Sequence, residues 1–595
     1  MFKLSIFKDE SNGESLRAKY HGADSLPLKV SIKVCLKMIK FYWTSKDSLF
    51  SWFLLSLIVI LTSGAIYLAK VFNTWYKEFW DTVQNYDLKG FKYQLMMFAI
   101  LATIHVVVSV YNSYLRSQLS INWRKWFTGK VMHDYLGDSV YYKMQLEDKK
   151  TENPDQRISE DLGSFVTLSI SLIIGTASDL AMLATFGVVL WDLSYSVDMT
   201  LWNDYVLHLP DGYMLYLAIA YALVGTLITF YIGKPLVKLN FRQQRYEADF
   251  RFSLIRVREN SESISLYSGQ VEEEQSLRCR FFSVVKNYVQ LIKREKRLGF
   301  FTLGYAQTAV IFPILIAAPM YFAKVITMGS IMQISSAFGR VQDALSTVIS
   351  RFSTWASYKA VIDRLALFFD SMDSSTQIEC LKPQKEGASF KVESLNVENP
   401  NHEILWKNLN FALSDGQSLL VRGPSGCGKS TLIKTIAGLW PHAHGSITVP
   451  DTGESLFLSQ RPYLPQGTLR QAACYPHASD NSGLVESYFE KLGLSHLLES
   501  LDIEDNYSTM LSLGEQQRIA IIRALIIKPK LLIMDEASSA LDESNEDLAY
   551  NLIKENLKTS IVLSVGHRSS LIKKHDLILS SQGDGNYTFC SSSDA

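Results

Sequence analysis

Five runs of roughly 20 apolar residues, nearly free of charge, constrain this chain more than any other feature. They lie at 51–72, 95–115, 165–191, 213–233 and 301–323. A helix needs about 20 such residues to cross the hydrocarbon core of a bilayer. Each run is therefore expected to be a membrane-spanning helix. A sixth span is expected at 328–355 if both ends of the chain lie on one side. It is less apolar, because Ser336, Arg340, Asp343, Thr347, Arg351 and Thr354 recur every three or four residues opposite Ile334, Phe338, Val341, Leu345, Val348 and Phe352. Such a polar stripe either faces a wet cavity or partner helix, or stands in water below the membrane. Asp179, deep in the third run, poses the same choice. Near Ser178 and Thr176 it either faces a cavity and handles cation or substrate, or is the structural partner of a polar group on another span.

Loop charges give an orientation. The 116–164 and 234–298 loops are rich in Lys and Arg, whereas 192–211 has neither. The positive-inside rule then places the large loops and both termini in the cytoplasm. Residues 1–48 carry an excess of Lys and Arg and lack the pattern of a secretory signal. The loops themselves read as helical extensions, since 241–269 is charged, free of proline and apolar at helical intervals. At 595 residues the chain exceeds one domain, and a formal net charge of zero gives no electrostatic footprint for nucleic acid. Six cysteines without paired spacing suggest neither a disulfide framework nor a zinc site. The expected organisation is an N-terminal segment 1–48, an all-α transmembrane domain 49–372, a polar linker 373–389, and from 390 to 595 an α/β domain of short strands alternating with helices.

The second domain carries the chemistry. An apolar strand leads into Gly423-Pro424-Ser425-Gly426-Cys427-Gly428-Lys429-Ser430-Thr431, and an amphipathic helix follows. This is a phosphate loop in its required strand–loop–helix setting. Glycines let backbone amides turn toward phosphate oxygens, Lys429 reaches the β and γ phosphates, and the Ser430 hydroxyl ligates Mg2+. The run 530–542 reads as a buried strand delivering Asp535 to the metal and Glu536, as general base, to the attacking water. Gln460 and His567 also follow apolar strands, where they can touch Mg2+ or water and the γ phosphate.

"LSLGEQQR", 511–518, resembles the signature of ATP-binding-cassette ATPases, with Leu513 and Glu515 where Gly and Gln are usual. Phosphate loop, Gln460, signature, Asp535-Glu536, "SALD" and His567 follow in cassette order. Six spans joined to one cassette resemble an exporter-type transporter. "INWRKWFTGKVMHDYL", "YYKMQ", "NPDQRISED" and "SQRPYLPQGTLRQ" are similar to the SbmA/BacA-like (YddA-type) branch, related to subfamily D half-transporters. The resemblance implies an ATPase with ATP and Mg2+ as cofactors, in the bacterial inner membrane. It also implies a homodimer in which Ser512, Leu513, Gly514 and Glu515 of one copy meet the ATP on the other. The implied cargo is a hydrophilic or amphipathic solute such as a peptide or cobalamin. A proton-driven or ATP-gated carrier with a regulatory cassette, or a lipid or acyl-CoA exporter, are the alternatives. The family's upstream adenine-stacking aromatic is replaced by Glu398 or Asn399, leaving Trp406 and Phe390 as either substitutes or core. In "TENPDQRISED", 151–161, Asn153 as a side-chain N-cap and Pro154 in the first turn are expected to open a helix. Asp155, Arg157, Glu160 and Asp161 would then join the long inner helices through charge pairs, stiffening them for transmission.

Overall fold

The computed structural model describes residues 26–147, 153–194, 197–200, 206–451, 454–477 and 483–594. It divides into two compact units, 1–375 and 376–595. Residues 1–25, 151 and 152 and the side chains of Val348 and Phe352 lie outside the description.

The first unit is built on long helices: α1 (Leu28–Trp43), α2 (Leu49–Gln84), α3 (Leu88–Leu136), α4 (Leu162–Asp192), α5 (Tyr213–Glu259), α6 (Gln270–Phe322), α7 (Met328–Ser350) and α8 (Phe352–Thr376). Between α4 and α5 a short antiparallel hairpin pairs β1 (Val197–Thr200) with β2 (Val206–Leu209). Among the described residues five helical stretches, each containing one of α2 to α6, are long and apolar enough to cross a membrane. Backbone groups in hydrocarbon can be satisfied only within a helix or a closed barrel, so an apolar run of this length has little choice but to be helical. The Lys/Arg-rich loops prolong the helices: α5 stays helical to Glu259 and α6 begins at Gln270.

The sixth segment runs as α7 to Ser350 and α8 from Phe352, and helical bonding continues between them: the Arg351 amide donates to the Thr347 carbonyl at 3.1 Å and the Arg351 carbonyl accepts from the Trp355 amide at 2.9 Å. Its expected two-sidedness is present, with Ile334, Phe338 and Val341 buried and Arg340 and Asp343 exposed. The buried face joins Phe186 and Leu190 of α4, Tyr213 and Met214 of α5, and Ala317 and Met320 of α6 in one core.

A second core lies where α1, α2, α3, α4 and α8 meet. Tyr42 stacks on Trp123 with ring centroids 5.3 Å apart, and Phe165 and Phe369 close it. α1 arises from the segment treated as an N-terminal extension, because Ser31, Val34, Met38 and Tyr42 recur at helical spacing and are buried. Its start is held by Asp363 of α8, which accepts from the Ser31 hydroxyl at 2.5 Å and the Leu26 amide at 3.2 Å.

The charged knot before α4 is a turn of helix with Pro154 at its first position, followed by one π turn, Arg157–Asp161. Asn153 precedes it in a left-handed conformation and makes no side-chain cap, contrary to its expected capping role. Its carbonyl, not its side chain, receives the Gln156 and Arg157 amides. Asp161, 4 % exposed, accepts from Arg157 at 2.6 Å and from Arg364 of α8 at 2.6 and 2.9 Å. Two guanidinium groups on one carboxylate satisfy what burial would otherwise penalise.

Replacing Asp161 with Ala strands both cations. Stability should fall by about 2 kcal/mol, less than for a wholly buried pair because Arg364 is partly in water. A thermal-inactivation midpoint equal to wild type in detergent would remove Asp161 from this role.

Candidate ATP-binding and hydrolysis site

The second unit positions its chemistry by strand order. Its main sheet runs β12 (Tyr587–Ser591), β11 (Leu577–Ser581), β6 (Ser418–Arg422), β10 (Ile561–Val565), β9 (Leu531–Asp535), β8 (Ser455–Leu458). All neighbours are parallel except the β11–β12 edge pair. A second sheet carries β3 (Gln384–Lys385), β7 (Ala443–Val449), β4 (Phe390–Glu398) and β5 (Ile404–Leu413). In the main sheet Val565 pairs with both Val421 and Asp535, and Leu458 with Met534. The segments after β6, β8, β9 and β10 therefore emerge along one edge, carrying the phosphate loop, Gln460, Glu536 and His567.

The loop ends in α9 (Lys429–Ile436), whose N-cap Gly428 has φ +92°; Gly426 has φ +84°. These left-handed values suit glycine, and at Gly428 a Cβ would also come within 2.9 Å of the Leu405 side chain. Lys429 is buried and donates to the carbonyls of Gly423 at 3.0 Å and Pro424 at 2.9 Å, so its ammonium lies across the mouth of the loop. Trp406 is fully buried and its indole donates to the Gly428 carbonyl at 3.0 Å. Phe390 is fully buried too. Both aromatics belong to the core, and neither is free to stack on a base.

Asp535 ends β9 with its carboxyl within hydrogen-bonding reach of Ser430. Burial pushes that carboxyl above its ordinary range, and Glu536 beside it adds to the push, while Ser430, Lys434 and Lys429 oppose it. A hydroxyl beside a half-buried carboxylate is the sparse oxygen set that Mg2+ takes when phosphates complete its shell. Among the described residues no cluster of three or more His, Cys, Asp or Glu competes for a metal.

Glu536 has φ +50°, unusual for a residue with a side chain. Its carboxylate accepts from Gln460 Nε2 at 2.9 Å and lies 3.5 Å from His567 Nε2. The three residues thus meet. Sequence reading missed what holds them: Gln517, fully buried in α10 (Leu513–Ile527). Its amide donates to the Gln460 carbonyl at 2.9 Å and, more weakly, to the Glu536 carbonyl at 3.4 Å, and accepts from the Ala540 amide at 2.9 Å. Arg568, next to His567, secures the same segment by donating to the Ser539 and Leu541 carbonyls. Gln517 stood inside the signature run, but no periodicity distinguishes a buried clasp from an exposed glutamine.

The signature opens α10. Ser512 is its N-cap and forms a reciprocal capping box with Glu515. Glu515 accepts from the Ser512 amide at 2.9 Å and hydroxyl at 2.7 Å, and pairs with His496 at 2.9 Å. Burial works against the charge, yet these bonds outweigh it and hold the Glu515 carboxyl below its usual range. Leu513 and Gly514 form the first helical turn, and the Gly514 Cα packs close to the Ala540 carbonyl.

In the first unit a cavity of about 450 Å³ is lined by Arg340 and Ser178, with Arg116, Asn112, His105 and Trp75. Two expected cavity residues stand apart from it. Asp179 pairs with Arg351 at 2.8 Å, an arrangement that Gly175 permits, since a Cβ there would meet the guanidinium at 2.6 Å. Asp343, one turn beyond Arg340, is exposed and outside the lining.

A phosphate loop, strand-end carboxylates and a capped signature on one chain with a multi-pass helical unit define an ATPase built into a membrane protein. The comparisons agree. Residues 38–322 match the family described as ABC transporter transmembrane region 2, and 406–539 match ABC transporter. Escherichia coli K12 has a relative named inner membrane ABC transporter ATP-binding protein YddA, 32 % identical over 91 % of this chain and 96 % of that one. Arabidopsis thaliana has one named ABC transporter D family member 2, chloroplastic, 32 % identical over 93 % and 86 %. A bacterial Atm1-family ABC exporter solved with ATP bound shares the fold at a TM-score of 0.69, covering 91 % of this chain and 95 % of that one at 16 % identity. The chain belongs to the ABC transporter family, as an ATPase coupled to transport with one membrane unit and one cassette.

Gln517→Ala should lower ATPase turnover on the order of 10²-fold, because a displacement of about 1 Å in Gln460 and Glu536 has that cost. Nucleotide affinity, read by a fluorescent ATP analogue, should stay near wild type. Equal loss of both would make Gln517 a folding residue only.

Proposed function

We propose that this chain is an ATP-driven half-transporter of the bacterial inner membrane, both termini cytoplasmic, working as a homodimer of the SbmA/BacA-like branch. By alternating access it moves a hydrophilic or amphipathic solute, a peptide or cobalamin being the candidates. The observation that carries the ATP-driven part is the meeting of Gln460, Glu536 and His567 at 2.9 and 3.5 Å on the edge that also bears the phosphate loop.

In this reading Lys429 and the loop amides bind the β and γ phosphates. Ser430, Asp535 and Gln460 hold Mg2+, which when bound neutralises phosphate charge. Glu536 orients the water and takes its proton, His567 beside it orients the γ phosphate, and Gln517 keeps the group in register. Six spans, the sixth at 328–355, form half of a transport pathway. One chain holds one phosphate loop and one signature. Two-fold pairing, which lets Ser512, Leu513, Gly514 and Glu515 face the partner's nucleotide, is the simplest closed assembly.

Glu536→Gln should retain ATP and lose turnover by about 10²- to 10⁴-fold, whereas Lys429→Ala should lose binding itself. Near-normal steady-state hydrolysis by Glu536→Gln rejects the base. Co-expressed Lys429→Ala and Ser512→Ala chains can form one site free of both defects, so partial recovery of ATPase supports the homodimer and a functional particle of monomer mass excludes it.

The Asp179–Arg351 pair favours a structural clasp over a proton carrier. Asp179→Asn should lower stability while leaving the pH profile of transport in oriented vesicles in place. A shifted profile would restore the proton-driven reading.

A further inference from the structure

A second cleft, about 380 Å³, opens between α5 and α6. Five cations line it, Lys238 and Arg242 from α5 and Lys293, Arg294 and Arg297 from α6, and no carboxylate does. Among the described residues none of the five is ion-paired. The helix pair that forms the cleft is fastened at two levels. Beside the cleft, Asn287 of α6 donates to the Leu239 carbonyl at 3.0 Å and the Gln243 side chain at 2.9 Å. Further along the apolar runs, Tyr221 and Tyr305 stack at 4.4 Å, and each hydroxyl donates to the other's carbonyl, at 2.7 and 2.9 Å. Pro235 also lines the cleft, and it cannot donate the helical bond to Tyr231.

Position says what such a cleft would meet. The uncharged run 213–233 of α5 stops one residue short of Lys234, and Arg297 directly precedes the uncharged run 298–322 of α6. The cations therefore stand at headgroup depth. Toward the apolar side Tyr231, Phe300 and Leu303 are 83, 75 and 70 % exposed, a surface suited to acyl chains. A general preference for cations beside membrane helices explains their presence. It does not explain five around one volume from which carboxylates are missing, an arrangement whose mutual repulsion an anion would relieve.

We propose that this cleft holds the phosphate headgroup of an anionic phospholipid, with the acyl chains lying along Tyr231, Phe300 and Leu303. The inference rests on membrane insertion of α5 and α6 and is independent of what the protein transports. Basic pockets between membrane helices take such headgroups, each cation near the surface adding about a further fivefold in affinity.

The test uses the full chain in nanodiscs of phosphatidylcholine, alone or with cardiolipin or phosphatidylglycerol. Wild type and the triple variant Arg242→Gln, Arg294→Gln, Arg297→Gln are compared by mass spectrometry of retained lipid and by the thermal shift that anionic lipid produces. A control triple, Arg251→Gln, Arg256→Gln and Arg258→Gln, removes equal charge further along α5. The expected result is on the order of 10²-fold weaker retention of anionic lipid by the first variant only, with phosphatidylcholine retention and basal ATPase in phosphatidylcholine unchanged. Equal retention by wild type and variant, or equal loss in both triples, overturns a specific site. Displacement of the lipid by inorganic phosphate or ATP at comparable concentration would assign the cleft to a soluble phosphate instead.

Discussion

Everything catalytic in this chain depends on the register of three parallel strands. Val565 of β10 sits between Val421 of β6 and Asp535 of β9, so the chain leaves the sheet at one level three times over. β6 turns into the phosphate loop, β9 into Glu536, and β10 into Gly566 and His567. The strands are held there by burial on both faces, since Leu419, Leu420, Val421, Leu531, Leu532, Ile533, Ile561 and Leu563 are 0 to 1 % exposed. A slip of one residue would turn each side chain to the opposite face and move Asp535 away from Ser430. The polar contacts then tune what the apolar register has placed, with Gln517 and Arg568 fixing the segment after Glu536.

The membrane unit solves a different problem. Few polar groups can be tolerated among packed apolar helices, and several of those present are paired across elements. Asp179 of α4 meets Arg351 between α7 and α8, Asp161 before α4 meets Arg364 of α8, and Asn112 and Arg116 of α3 share the Thr62 hydroxyl of α2. The first ties the third run to the sixth segment, and the second ties the knot before that run to α8. Arg351, a member of the polar stripe that made the sixth segment less apolar, thus grips α4.

Much of this was legible beforehand, for identifiable reasons. Apolar runs of bilayer length and a strand–loop–helix around Gly423 to Thr431 each admit few conformations, so elements and their order follow from local sequence. The amphipathy of α7 could be read from spacing alone. α1 was not foreseen because its apolar face, Val34, Met38 and Tyr42, is short and scattered among lysines, and becomes meaningful only against Trp123 and α8. The partners of Asp179 and Gln517, and Arg364 opposite Asp161, were hidden because they lie far away in sequence. Asn153 read as a side-chain cap and in fact contributes only its carbonyl, a distinction set by backbone torsion and not by residue type.

The length of α5 and α6 has a mechanical consequence. At 47 and 53 residues and about 1.5 Å per residue they extend roughly 70 and 80 Å, while the hydrocarbon core takes about 30 Å. Some 40 Å of paired helix therefore projects past the bilayer, joined by Asn287 there and by Tyr221 and Tyr305 within the spans into one beam. A tilt of about 5° within the membrane moves the far end of such a beam by about 3.5 Å, close to the separation of two bonded polar atoms. Angular changes too small to reopen the packing among the spans are thus geared into displacements large enough to make or break individual contacts at the tip.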